Sequence, residues 1–172
     1  MNNLEHDHHI GAALTQIRQI IEQSRMQVAQ SVNEALLRTY WEIGRVIVEQ
    51  EQHGRAKADY GKALIRSLAQ ELSKELGKGF SVSNLFNMRN FYAAYQKFQT
   101  VSGKLSWSHY CELLSISDRD KRAFYEQECL RSNWSVRELK WQLKLIDLKT
   151  TRLDHTHVGQ MNLYLNYYLK EV

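Results

Sequence analysis

A mainly α fold, built as a multi-helix domain, is predicted by three observations. The 172-residue chain contains no proline, so the strongest helix-breaker is absent. Gln, Glu, Leu, Lys, Arg and Ala, all good helix formers, dominate its composition. Its apolar residues also recur every three or four positions over long stretches. No strand, internal repeat or low-complexity segment is evident. The predicted domain contains a helix–turn–helix-like pair and is followed by a short C-terminal amphipathic helix.

Residues 1–13 read as a flexible tail. From Leu14 the apolar positions Ile17, Ile21, Val28, Val32, Leu36, Tyr40, Ile43 and Ile47 keep helical spacing. Ser31 and Asn33 mark either a break between two helices or a point through which one long helix runs. The period wavers between three and four, as a coiled-coil seam does. That stripe serves packing within the domain or self-association. Around Gly54 the chain turns, and Asp59 caps a helix over about residues 60–76, with Leu64, Ile65, Leu68, Leu72 and Leu76 on its inner face. Two glycines in "GKGFS" make a tight turn, and Ser81 or Ser83 caps a helix running to about Gln99. A short helix follows over 107–114, another is capped by Asp118 or Asp120, and a last one opens with the capping box Ser135/Glu138. Periodicity stops after Leu148. The domain therefore spans 14–148, followed by a linker at 149–157 and an aromatic segment at 158–172.

Composition narrows the function classes. Hydrophobic residues make up 43% of the chain, enough for a packed core. No apolar run is long enough to cross a bilayer. The opening "MNNLEHDHHIG" lacks the basic and apolar regions of a secretory signal. Cys111 and Cys129 are too few and too far apart for a disulfide framework or a zinc knuckle, and both read as core. A cytoplasmic protein with no membrane partner is expected. The net charge of +4 and pI near 9.0 permit nucleic-acid binding without requiring it.

The pair at 60–99 carries the nucleic-acid expectation. On a wheel of about 100° per residue, Val82, Leu85, Met88, Phe91, Tyr92, Tyr95 and Phe98 share an apolar arc. Ser83, Asn87, Asn90, Ala94 and Lys97 fall on the opposite side. Such a stripe suits a DNA groove: Asn bonds adenine bidentately, Ala allows close approach, and Lys meets phosphate. Arg55, Lys57, Lys62, Arg66 and Lys78 stand nearby as phosphate contacts. The same polar stripe is also what any solvated helix face presents. Arg89, at the edge of the apolar arc, reads as an ion-pair residue.

Other chemistry is thin. "HDHH" at 6–9 and "DHTH" at 154–157 lack the spacing and partners of a metal site. No phosphate-binding loop, dinucleotide fingerprint or zinc-protease helix is present. No cofactor or metal is expected.

The stretches "NEALLRTYWEIGRVIVEQEQHGRAKADYGK", "GKGFSVSNLFNMRNFYAAY", "LSWSHYCELLSISD" and "NWSVRELKWQL" resemble, in that order, the N-terminal domain of the YhcG family of bacterial proteins. The resemblance spans about residues 17–148. It implies a helix–turn–helix-like DNA-binding domain placed ahead of a Mg²⁺-dependent nuclease domain of the PD-(D/E)xK superfamily. The closing "HVGQMNLYLNYYLKEV" is similar to a helix that follows the metal site in that nuclease, with Gln160 and Tyr164 matching. The strands that hold the metal in that superfamily have no counterpart in "KTTRLDHTH". Glu138 and Lys140 imitate the Glu-x-Lys motif, but two residues apart on a helix they point about 200° from each other. The expectation is a DNA-binding module carrying a nuclease remnant at 158–172 and not cleaving DNA itself. Two alternatives fit the same residues. One is a dimerisation or docking module for a full-length nuclease or restriction-system partner, and the other is a decayed gene product.

Overall fold

The structure is a computed structural model in which residues 2–53 and 58–150 are described. Six α-helices follow one another among the described residues, with no strand: α1 (Asn2–His53), α2 (Ala58–Leu76), α3 (Val82–Ala94), α4 (Trp107–Leu113), α5 (Arg119–Ser132) and α6 (Val136–Thr150). The protein is thus mainly α, as its composition and periodicity predict. The segment at 158–172 and all but the start of the 149–157 linker lie outside the described residues.

One helix of 52 residues occupies the whole first third of the chain. It begins at Asn2, inside the stretch expected as a flexible tail; no proline stands ahead of Leu14 to stop a helix, and Gly11 weakens it without ending it. Nor does it break at Ser31 or Asn33. The Ser31 hydroxyl donates back to the Gln27 carbonyl at 3.0 Å, which keeps it within the helix. Asn33 turns its amide sideways and donates to the carbonyls of Gly103 and Leu105, both at 2.8 Å. A residue expected to interrupt the helix instead fastens a distant loop to it.

The described residues divide into two units between Leu114 and Ser115. In the first, the C-terminal part of α1 packs with α2 and α3 around Ile47, Ile65, Ala69, Leu85 and Met88. Each of the buried Ile, Leu and Met side chains contributes about 1.5–3 kcal/mol, and Ala69 less. The α1–α3 crossing is close. A Cβ added at Gly44 would stand 2.8 Å from the Met88 carbonyl carbon and 3.0 Å from Tyr92 Cβ, with the Met88 oxygen nearer still. Glycine lets the two backbones meet here.

An aromatic cluster extends this core. Phe91 packs on Tyr95, Trp107 and Tyr110 with ring centroids 4.9–5.4 Å apart. Trp41 donates its indole N–H to the Tyr95 carbonyl at 2.6 Å. Those contacts explain why α3 stops at Ala94 rather than running to Gln99. Tyr95 leaves helical geometry at φ −117°, ψ 76°, which keeps its ring 5.4 Å from Tyr110. The apolar periodicity continues to Phe98, which is also buried, but a turn delivers it there.

In the second unit, α5 is capped by Asp118, whose carboxylate accepts from Lys121 N at 2.8 Å. It ends at Asn133, which adopts the left-handed conformation at φ 50° that asparagine tolerates. Among the described residues of this unit, Ile116, Tyr125 and Cys129 of α5, and Leu139 of α6 are buried, Ile116 lying just ahead of α5. Burial pushes the Cys129 thiol up to about 11, with the charges of Glu126 and Glu128 adding to the rise. The thiol is therefore protonated and unreactive at neutral pH.

Candidate nucleic-acid interface

The α2–turn–α3 connection is built from local chemistry. Gly77 takes φ 90°, a left-handed value that suits glycine, and its N–H closes α2 by donating to Ser73 O at 3.2 Å. Ser81 is the N-cap of α3, its hydroxyl accepting from Asn84 N at 3.3 Å. Of the two serines expected as caps, the turn uses the first. Ser73 Oγ donates to Phe80 O at 3.2 Å, tying the end of α2 to the start of α3. Asn84 ties the turn inward: its amide donates to Gly79 O at 2.5 Å and its oxygen accepts from Trp107 Nε1 at 2.9 Å. Lys78 stands exposed on the turn.

The proposed contact residues are distributed across this frame. Lys62 and Arg66 are exposed on α2, and Ser83 and Asn90 are exposed on α3. Asn87 is half-buried, and its amide donates to Cys111 Sγ at 3.5 Å. Burial raises the Cys111 thiol above its ordinary value, the bond from Asn87 opposes that rise, and the charge of Glu112 adds to it. Lys97 is exposed but does not continue the α3 stripe. It follows the end of the helix and opens the 3₁₀ turn Phe98–Thr100. Arg55 lies outside the described residues.

Arg89 is the ion-pair residue that its wheel position suggests. Its Nε donates to both carboxylate oxygens of Glu51, at 2.9 and 2.8 Å. Glu51 is only 16% exposed, so this pair locks α3 to the end of α1 in a partly desolvated setting. Arg89 Nη1 also donates to Asn90 Oδ1 at 3.2 Å, which orients the exposed amide beside it.

Glu138 has a structural role. Its carboxylate accepts from Ser135 N at 2.6 Å, and Ser135 Oγ accepts from Glu138 N at 3.2 Å. This reciprocal capping box holds the start of α6 and draws the Glu138 carboxyl below its ordinary value, the Ser135 backbone bond first. Among the described residues, no three His, Cys, Asp or Glu side chains gather as a metal site. No described helix is long and apolar enough to cross a membrane.

Sequence reasoning missed the fastening residues Asn33, Gly44 and Asn84. Gly44 carried a signal, since a lone glycine amid strong helix formers costs about 1 kcal/mol unless a close approach requires it.

A family model, the DUF1016 N-terminal domain, matches residues 16–147. The chain belongs to this family. It is also similar to "Putative nuclease YhcG" of Escherichia coli (strain K12), with 37% identity over 168 residues, covering 79% of this chain and 45% of that protein. Membership of the YhcG family, read from the residues, is thereby shown, and the chain is a relative of a nuclease family. It spans less than half the length of the curated relative it matches. No solved structure matches it.

Proposed function

We propose that this chain is the DNA-binding part of a YhcG-type nuclease, acting in the cytoplasm, and that it does not cleave DNA itself. The observation that carries the proposal is the glycine-turned pair α2–α3. It is packed on α1 through Ile65, Ala69 and Leu85 and leaves Lys62, Arg66, Lys78, Ser83 and Asn90 exposed. A buried face fixed on a third helix, with cations and small polar groups turned outward, suits a helix–turn–helix element on a phosphate backbone. Descent from a nuclease family makes DNA the fitting polyanion. The one Glu-x-Lys pair in the chain is occupied as a helix cap, so it is not available as a metal-binding pair.

The test is DNA binding as a function of salt. Affinity is expected to fall steeply with added salt. Lys62→Glu combined with Arg66→Glu should weaken it and lower the log–log slope by about one for each phosphate the protein no longer neutralises. Asn90→Ala should weaken binding without changing the unfolding midpoint. Binding unaffected by all three substitutions would leave the exposed stripe as an ordinary solvated face.

A further inference from the structure

We propose that residues 10–36 of α1 form a parallel two-stranded coiled coil with a second copy of this chain. Every side chain from Ile10 to Val32 is exposed, yet the segment is strongly patterned. Ile10, Leu14, Ile17 and Ile21 are separated by four, three and four residues, the alternation of a heptad seam. Ser24 and Val28 continue it, and the stripe then steps by four to Val32 and Leu36, which locally unwinds a supercoil. These are not lightly exposed residues: Ile17 is 52% exposed, Val28 65% and Val32 63%. A solitary helix of about 40 Å with this composition is marginal in water unless something covers its apolar stripe.

Charge selects the occupant. Between residues 10 and 36 the only charged side chains are Arg18, Glu22, Arg25 and Glu34, which cancel, and the polar face is rich in glutamine. An anionic lipid surface or a nucleic acid recruits a basic face, and this segment has none. A second copy meets no net repulsion. Half-exposed aliphatic side chains on two copies amount to on the order of 1,200 Å², the lower bound for a specific interface.

Charge also selects the orientation. With Leu14, Ile21 and Val28 at the a positions, Arg18 and Arg25 occupy the flanking e positions. An antiparallel pair sets e against e and brings these guanidinium groups toward their like. A parallel pair sets e against g, where Ala13 and Ile20 receive the arginine stems. Arg25 already holds Glu22 of its own helix at 2.8 Å.

The test uses the full chain, freed of nucleic acid, so that failure of the DNA-binding proposal leaves it intact. Light scattering across a concentration series should give twice the 20.3 kDa chain mass. Ile17→Glu combined with Ile21→Glu should return it to one chain mass, while Gln19→Glu, on the outer face, should not. Because these positions are exposed, the unfolding midpoint of the α1–α2–α3 core serves as the folding control. Under mild oxidation Ser24→Cys should cross-link copies and Gln23→Cys should not, which reports parallel register. A monomer at every concentration would overturn the proposal, as it would if residues 151–172 of the same chain covered the stripe. A three-chain mass, or equal cross-linking of the two cysteine variants, would also overturn it.

Discussion

Substituting Gly44 by alanine should destabilise the protein although alanine is the better helix former. The added Cβ would sit 2.8 Å from the Met88 carbonyl carbon and 3.0 Å from Tyr92 Cβ, where ordinary contacts need 3.4 Å or more. The nearest group is backbone of α3, so no rotamer change relieves the clash and the helices must separate. Overpacking of this kind costs about 1–3 kcal/mol, and a backbone partner places it toward the upper end. Alanine returns about 1 kcal/mol of helix propensity. The net expectation is a loss of about 2 kcal/mol, a large share of a typical total stability of about 5–15 kcal/mol. Urea unfolding followed by tryptophan fluorescence reads it directly, since Trp41 sits beside the crossing. Gly11→Ala is the matched control, because nothing lies within 4 Å of a Cβ there. It should add helicity by far-UV circular dichroism and leave the core midpoint alone. If Gly44→Ala raised the midpoint, the close-approach argument would be refuted.

Two further outcomes follow from the ion pair and the helix cap. Arg89→Ala strands the Glu51 carboxylate in a site 16% exposed and should cost about 1–3 kcal/mol in a denaturant midpoint; a double-mutant cycle with Glu51→Gln showing no coupling would contradict the pairing. Glu138 has its carboxyl lowered by the Ser135 bonds, so its cap contributes stability above the unfolded value near 4.5 and loses it as pH falls through the lower folded value. Glu138→Gln keeps the hydrogen bond and removes the titration. It should abolish that part of the acid-side loss of helicity, and identical acid curves for both proteins would sink the assignment.

The helices were legible in the sequence because each is marked by local chemistry. The Ser81, Asp118 and Ser135 caps and the Gly77 turn act through contacts a few residues apart, which a linear reading can see. Tertiary contacts set what it misjudged. Asn33 resembles a helix breaker until its partners, Gly103 and Leu105 some seventy positions away, are in place. Periodicity carries the apolar arc through Tyr95 to Phe98, but it cannot reveal that Trp41 captures the Tyr95 carbonyl and ends the helix there. The exposed stripe of α1 was visible as a pattern. Its lack of a partner within the described residues became visible only in three dimensions.

The early end of α3 alters what a DNA contact by this protein would entail. A helix running to Gln99 would present Ser83, Asn87, Asn90 and Lys97 as one continuous reading edge. In the structure α3 has 13 residues, Lys97 lies beyond it, and Asn87 is drawn toward Cys111. On the DNA-binding proposal, Asn90 is then the asparagine of that stripe left exposed to address a base edge, with Ser83 one helical span before it. The cations Lys62, Arg66 and Lys78 come from α2 and the turn, which suits them to phosphates rather than bases. Few base contacts and several phosphate contacts give affinity that depends strongly on salt and weakly on sequence. Such a module would position a nuclease on DNA without dictating a site, and the choice of cleavage position would rest with other parts of the assembly.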